Sequence, residues 1–223
     1  MAGTRGMSPS STRCRVVVLL SGRGSNLQAI IDAARAGELP VTLSAVISNR
    51  PDAHGLDYAR VAGIPTDVVD HRGFPDRETF DRVLTERIDQ HQPDLVVLAG
   101  FMRVLGRDFI DHYAGRLINI HPSLLPDFPG LRTHERALAA GVKRHGASVH
   151  FVTHEVDGGP IIAQAGVPVM ADDTVESLAA RVLEQEHRIY PLAIRWFAEG
   201  RLTVRDGKVL LDERRDSAQG LAD

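Results

Sequence analysis

An alternation of strand-like and helix-like segments constrains this chain most. Short Val, Leu and Ile runs at Arg15–Leu20, Val41–Ser48, Thr66–Val69 and Asp94–Ala99 are separated by segments with apolar residues at helical spacing. Those segments are Ser25–Ala36 (Leu27, Ile30, Ile31, Ala34), His54–Ala62 and Asp76–His91 (Phe80, Val83, Leu84, Ile88). Gly37, Gly63 with Pro65, and Pro93 stop them in turn. Short strands rich in Val and Ile that alternate with helices belong to a parallel sheet covered on both faces. A fifth strand is expected at Leu117–Ile120. The second half changes character. Ala147–Thr153 and Ile161–Val169 are linked only by His154–Pro160. A parallel crossover needs about a dozen residues, so these two strands are expected to be antiparallel. Thr174–Ala198 has the period of a long helix, which Pro191 is expected to kink or end. Arg205-Asp206-Gly207-Lys208, between Val204 and Val209, signals a hairpin. The expected class is α/β: a mostly parallel sheet with helices on both faces, and antiparallel strands in the C-terminal half.

The 223 residues, 43% hydrophobic and 25% charged, suit one globular domain. It is expected over 14–211, between a disordered leader at 1–13 and a frayed tail at 212–223. The leader lacks the apolar core of a secretory signal. The net charge of −3 disfavours nucleic-acid binding driven by overall charge. The longest apolar run, Leu95–Met102, is far short of the ~18 residues that span a bilayer. The single cysteine, Cys14, permits neither an intrachain disulfide nor a cysteine zinc cage, and no H-E-x-x-H spacing occurs, so no catalytic metal is expected.

Ligands of such sheets sit at the carboxyl ends of strands. The first strand ends in Ser21-Gly22-Arg23-Gly24-Ser25-Asn26-Leu27, where glycines bring backbone close to a ligand and free N–H groups at a helix start attract an anion. Three readings stay open: a monophosphate site, a dinucleotide site, or a bare helix start capped by Ser25. Leu27 stands where a dinucleotide loop wants its third glycine, although Arg50 after the second strand would suit NADP. The fifth strand runs into Asn119-Ile120-His121-Pro122, with Asn119 and His121 on one face. An amide donor and an imidazole side by side suit a carbonyl oxygen that becomes an oxyanion. Asp157-Gly158-Gly159 is either an Asx turn or a carboxylate that holds His121 charged. His150 is a candidate site-lining residue, whereas His54, His71, His91, His112 and His145 are expected in solvent. Glu186 falls on the apolar stripe of the last helix, costly unless paired or facing a ligand. Ser123 lies outside any G-x-S-x-G elbow and is discounted as a nucleophile.

Ser21–Gln28, Gly100-Phe101-Met102-Arg103, Asn119–Pro126 and Asp157-Gly158-Gly159-Pro160, in that order, resemble the phosphoribosylglycinamide formyltransferases, folate-dependent enzymes of purine synthesis. The resemblance covers about Arg15 to Leu211. It implies a Rossmann-like formyltransferase fold, with a phosphate half at 14–115 and a catalytic and folate half at 116–211. The implied substrates are glycinamide ribonucleotide and, as formyl donor, 10-formyltetrahydrofolate. Gly24, Ser25, Asn26 and Glu186 then bind the ribonucleotide. Arg77, Met102, Arg103, Val104, Leu105, Glu155 and Val156 bind the folate, together with Asn119 and Asp157. Asn119, His121 and Asp157 form the catalytic trio. Leu183 stands where some members place a polar substrate contact. The implied setting is cytoplasmic, with small-molecule partners, no nucleic acid and no membrane; a homodimer is left open.

Related readings differ in what they demand. A methionyl-tRNA formyltransferase is expected to need a further tRNA-binding domain, and a formyltetrahydrofolate hydrolase an N-terminal regulatory one. An NADP oxidoreductase rests on the glycine loop and Arg50 alone. A non-catalytic ligand-binding regulator would not need the trio.

Overall fold

The computed structural model describes residues 13–213. The expected leader and tail otherwise fall outside the described residues. The elements run β1 (Cys14–Leu20), α1 (Ser25–Arg35), β2 (Val41–Ser48), α2 (Gly55–Val61), β3 (Thr66–Val68), α3 (Arg77–Asp89), β4 (Leu95–Leu98), α4 (Arg107–His112), β5 (Leu117–His121), α5 (Thr133–Ala139), β6 (Arg144–Phe151), β7 (Ile161–Pro168), α6 (Val175–Ala198), β8 (Leu202–Arg205) and β9 (Lys208–Leu211). One 7-stranded sheet has the order β3-β2-β1-β4-β5-β6-β7. The pairs from β3 to β5 are parallel, and β6 and β7 join antiparallel, as the short link requires.

Strand alternation builds two cores. Val16, Val18 and Leu20 face one side, where Leu27, Ile30 and Ile31 of α1 and Leu178, Val182, Tyr190 and Ile194 of α6 cover them. Val17 and Leu19 face the other, under Phe80, Leu84 and Ile88 of α3 and Phe109 and Ile110 of α4. Val16–Leu20 of β1 is buried on both faces, so this run carries no polar alternation. The β8–β9 hairpin forms through Asp206 and Gly207, both at positive φ, with Val204 opposite Val209.

Two expectations are corrected. Of the kink or stop expected at Pro191, the stop does not occur, since α6 runs on to Ala198. The proline forfeits one backbone hydrogen bond, but Ile189, Tyr190, Ala193 and Ile194 are buried on both sides of it, and packing outweighs local propensity. Ser25 is not the cap of α1. The cap position is Gly24, in the left-handed region at φ 79°, and no side chain caps the helix. Glycine is required there, because a Cβ would overlap the backbone of Gly55. Short α4 and α5 were not anticipated.

The order of connections makes β1 and β4 the neighbours at which the chain reverses direction across the sheet. A crevice opens outside their carboxyl ends at such a point. Ser21 N–H donates to the Gly100 carbonyl at 3.2 Å and closes its floor.

Candidate active site

A cavity of about 550 Å³ occupies this crevice. The glycine loop Ser21–Asn26 forms one wall, and Asn49, His71, Met102, Arg103 and Glu186 are among the other lining residues, with the apolar Leu183 also facing it. Because nothing caps α1, its first N–H groups are left for a ligand. Asn26 Nδ2 donates to Glu186 Oε2 at 2.7 Å, and Asn26 Oδ1 is buried without a partner. Glu186 is 9% exposed and has no cation within ion-pair reach among the described residues. Burial pushes its carboxyl above the ordinary value, against the Asn26 bond. Helix position places this acid in the cavity wall and keeps it from bulk water.

Sequence reasoning missed a polar hub behind the wall. Ser21 Oγ donates to Asn49 Oδ1 at 2.5 Å and accepts the Met102 N–H at 2.7 Å. Asn49 Nδ2 lies 3.1 Å from His71 Nδ1. His71, expected in solvent, instead lines the cavity. The available signal was position: Ser21 and Asn49 each directly follow a strand.

The second cluster lies at the ends of β5 and β6. Asn119 pairs in register with Leu98, next to cavity-lining Ala99, and with His150 on its other side. Its Nδ2 is 3.3 Å from His150 Nε2. His150 Nδ1 faces the Phe151 carbonyl at 2.9 Å and therefore donates, which leaves Nε2 to accept from Asn119 when the ring is neutral. Asp157 sits at φ 54° in the turn between β6 and β7. Gly159 is needed just after it, since a Cβ would overlap the Phe151 carbonyl. Asp157 Oδ2 accepts the Gly130 N–H at 2.8 Å and lies 3.4 Å from His121 Nδ1, while Oδ1 is 3.7 Å from His150 Nε2. Burial alone would raise the Asp157 carboxyl; His150, the Gly130 N–H and the His121 charge outweigh it and hold the group below the usual carboxylate value. His121 Nε2 points at the Phe128 carbonyl at 3.0 Å. Both ring nitrogens thus face acceptors, an arrangement that the doubly protonated ring satisfies. Ser123 is fully buried and its hydroxyl is committed to the Asp127 carbonyl at 2.6 Å.

The third group is apolar and basic. Met102 and Val104 are 68% and 62% exposed, and Val156 is 62% exposed on the Asp157 turn. That turn is tied to α4, because Arg107 donates to His154 Nδ1 at 3.3 Å and His154 Nε2 meets Asp111 at 2.7 Å. Leu105 is buried beneath the loop. Exposed Arg77 and Arg103 flank it, and Glu155 lies at the outer edge of the turn. Among the described residues no group of three or more His, Cys, Asp or Glu is placed to hold a metal ion.

His145 corrects another expectation. It is 1% exposed and shares a 3.2 Å contact with His134. Burial, then the charges of His134 and His121, drive its pKa from 6.5 down to about 4. The folded ring stays neutral where the unfolded ring takes a proton. Its contribution to stability is therefore complete above about 6.5 and is lost as pH falls toward about 4. His145→Gln is expected to flatten the acid side of a melting-temperature series between about pH 8 and pH 5. A variant whose melting temperature declines as steeply as that of the native chain would contradict this.

A model of the formyl transferase family matches residues 14–194. The chain is 56% identical over 207 residues to a phosphoribosylglycinamide formyltransferase of Escherichia coli (strain K12), covering 93% of this chain and 98% of that protein. Among solved structures, glycinamide ribonucleotide transformylase 1 of Symbiobacterium toebii has a TM-score of 0.89 at 48% identity, covering 95% of this chain and 99% of the other. The phosphoribosylglycinamide formyltransferase of Coxiella burnetii has a TM-score of 0.86 at 54% identity, covering 90% and 94%.

Proposed function

The chain belongs to the formyl transferase family, and from that premise we propose how its residues divide the work. It is a transferase that formylates glycinamide ribonucleotide in purine biosynthesis. One observation carries the residue-level reading: Asn119, His121 and Asp157 converge at one sheet edge, next to a cavity that ends in an uncapped helix. The ribonucleotide phosphate takes the N–H groups of Gly24, Ser25 and Asn26, and Glu186 accepts from its hydroxyl or amine groups. 10-Formyltetrahydrofolate is the donor. Its flat ring lies against Met102, Val104, Leu105 and the Glu155–Asp157 turn, and its anionic tail meets Arg77 and Arg103. This use would explain why apolar side chains stand exposed beside exposed arginines. The lone free thiol, Cys14, fits the cytoplasm that we propose as its compartment.

In the reaction the neutral amine forms a C–N bond to the formyl carbon, and the carbonyl electrons move onto oxygen. Asn119 Nδ2 carries two hydrogens. His150 engages one, and the other donates to the oxyanion. His121 contributes its Nδ1–H, which the loose 3.4 Å separation from Asp157 leaves free to be shared. Asp157 starts ionised, faces His121 Nδ1 with its charge and accepts the proton that the amine sheds. Collapse of the oxyanion then breaks the bond to the folate nitrogen, which takes up the proton that Asp157 received from the amine, and the carboxylate is restored.

The deciding assay supplies 10-formyltetrahydrofolate with and without glycinamide ribonucleotide and follows tetrahydrofolate. Release only with the ribonucleotide is expected; equal release without it would make the chain a hydrolase. Glu186→Gln is expected to raise KM for the ribonucleotide about tenfold or more, since a hydrogen bond to a charged group contributes ~1.5–3 kcal/mol. KM for the donor should stay within twofold. A change confined to the donor would move Glu186 out of the ribonucleotide site.

A further inference from the structure

Side chains from distant elements pin the Met102–Leu105 wall at both ends. At its start Met102 N–H donates to Ser21 Oγ. At its end Gly106 N–H donates to Asp81 Oδ2 at 2.6 Å. Gly106 is the cap position of α4 and has no side chain of its own to offer. A Cβ there would stand 2.9 Å from Asp81 Oδ2, so the close approach depends on glycine. Asp81 lies on α3 one turn beyond Arg77, and is 6% exposed.

An amide oxygen would suffice to hold one N–H group. Here the anchor is a buried carboxylate, and its second oxygen, Oδ1, has no hydrogen-bond partner. Such a group is costly unless its charge is used. Burial pushes the Asp81 carboxyl above the ordinary value, against the Gly106 N–H and the charges of Arg77 and Arg103, which favour the ionised form. Arg103 also lies over the ring of Phe80, 6.0 Å from the centroid, and Phe80 adjoins Asp81 in sequence. The carboxylate therefore sits under the loop at Gly106, in the field of the two guanidinium groups beside the exposed wall.

We propose that Asp81 is a positioning residue for the formyl donor, fixing the Met102–Leu105 wall through Gly106 and holding Arg77 and Arg103 over it through its charge. The proposal rests on the assignment of that wall to the folate. Asp81 touches no substrate and acts through these three residues.

Two variants separate its roles. Asp81→Asn keeps the shape and an acceptor for Gly106 but removes the charge; Asp81→Ala removes both. Each is assayed for KM and kcat with either substrate varied, alongside its melting temperature. The donor is used intact and as a truncated form without the glutamate. Asp81→Asn is expected to raise KM for the intact donor about fivefold, the scale of a partly exposed charge contact. It should leave KM for the ribonucleotide within twofold and match the native enzyme on the truncated donor. Asp81→Ala should be impaired on both donors. Equal shifts in both substrates' KM, or a lower melting temperature with both KM values unchanged, would overturn the proposal, and Asp81→Asn alone suffices if the alanine variant does not fold. Ribonucleotide-dependent turnover by the native enzyme upholds the underlying functional reading whatever the variants do. Its absence would remove that reading and this proposal together.

Discussion

Asp157→Asn is expected to reduce kcat by roughly 10³-fold or more, in line with other sites where an amide replaces the carboxylate that orients a catalytic imidazole. The fold should survive. The amide oxygen can still accept the Gly130 N–H that Asp157 Oδ2 now takes at 2.8 Å. What cannot survive is the company Asp157 keeps. His121 Nδ1 at 3.4 Å and His150 Nε2 at 3.7 Å face a full negative charge. An amide removes that charge and, with its oxygen on Gly130, turns its NH₂ toward a histidine. The proton on His121 loses its support, and the amine loses its acceptor. Because Asp157 is held below the ordinary carboxylate value, it stays ionised at neutral pH. Loss of native activity on mild acidification should therefore not be traced to this group. The check is single-turnover formation of tetrahydrofolate with both substrates saturating. Near-native turnover would sink the assignment of Asp157 to the chemistry.

What the sequence showed of this fold depended on distance along the chain. The strands of the parallel sheet were legible because both of their faces are buried. Val16–Leu20 carries no polar residue to confuse the reading, and each following helix has an ordinary apolar stripe. The link His154–Pro160 forced antiparallel pairing by length alone. Asn119 and His121 could be paired because they lie two residues apart at the end of one strand. The features missed are set by contacts between remote residues. α4 begins at Gly106 because a carboxylate 25 positions earlier holds its N–H group. The hub of Ser21, Asn49 and Met102 joins the ends of three strands. His145 looks like a surface residue beside Arg144 and Gly146, yet β6 buries it against His134. Ser25 has the right chemistry for a cap, but the left-handed turn demanded by Gly55 places Gly24 at that position. Glu186 was visible as a carboxylate on an apolar stripe, but its partner Asn26 lies 160 positions away.

Asn119→Ala is expected to lower kcat by ~10²–10³, the usual loss for one oxyanion donor, with KM for either substrate changed only a few-fold. The donor is needed where charge develops, so its loss appears in the transition state and little in the ground state. Asn119 is braced by His150 Nε2 at 3.3 Å and by its place in β5, between Leu98 and His150 in register. Truncation therefore removes one donor without releasing the strand. The stronger test is the double variant Asn119→Ala with Asp157→Asn. If Asn119 and the His121–Asp157 pair stabilise the same oxyanion, the second change acts on an enzyme that has already lost the geometry. The combined loss should then fall well short of the product of the single losses. Multiplicative losses would mean that Asn119 acts at a different step, and the three residues would no longer form one catalytic unit.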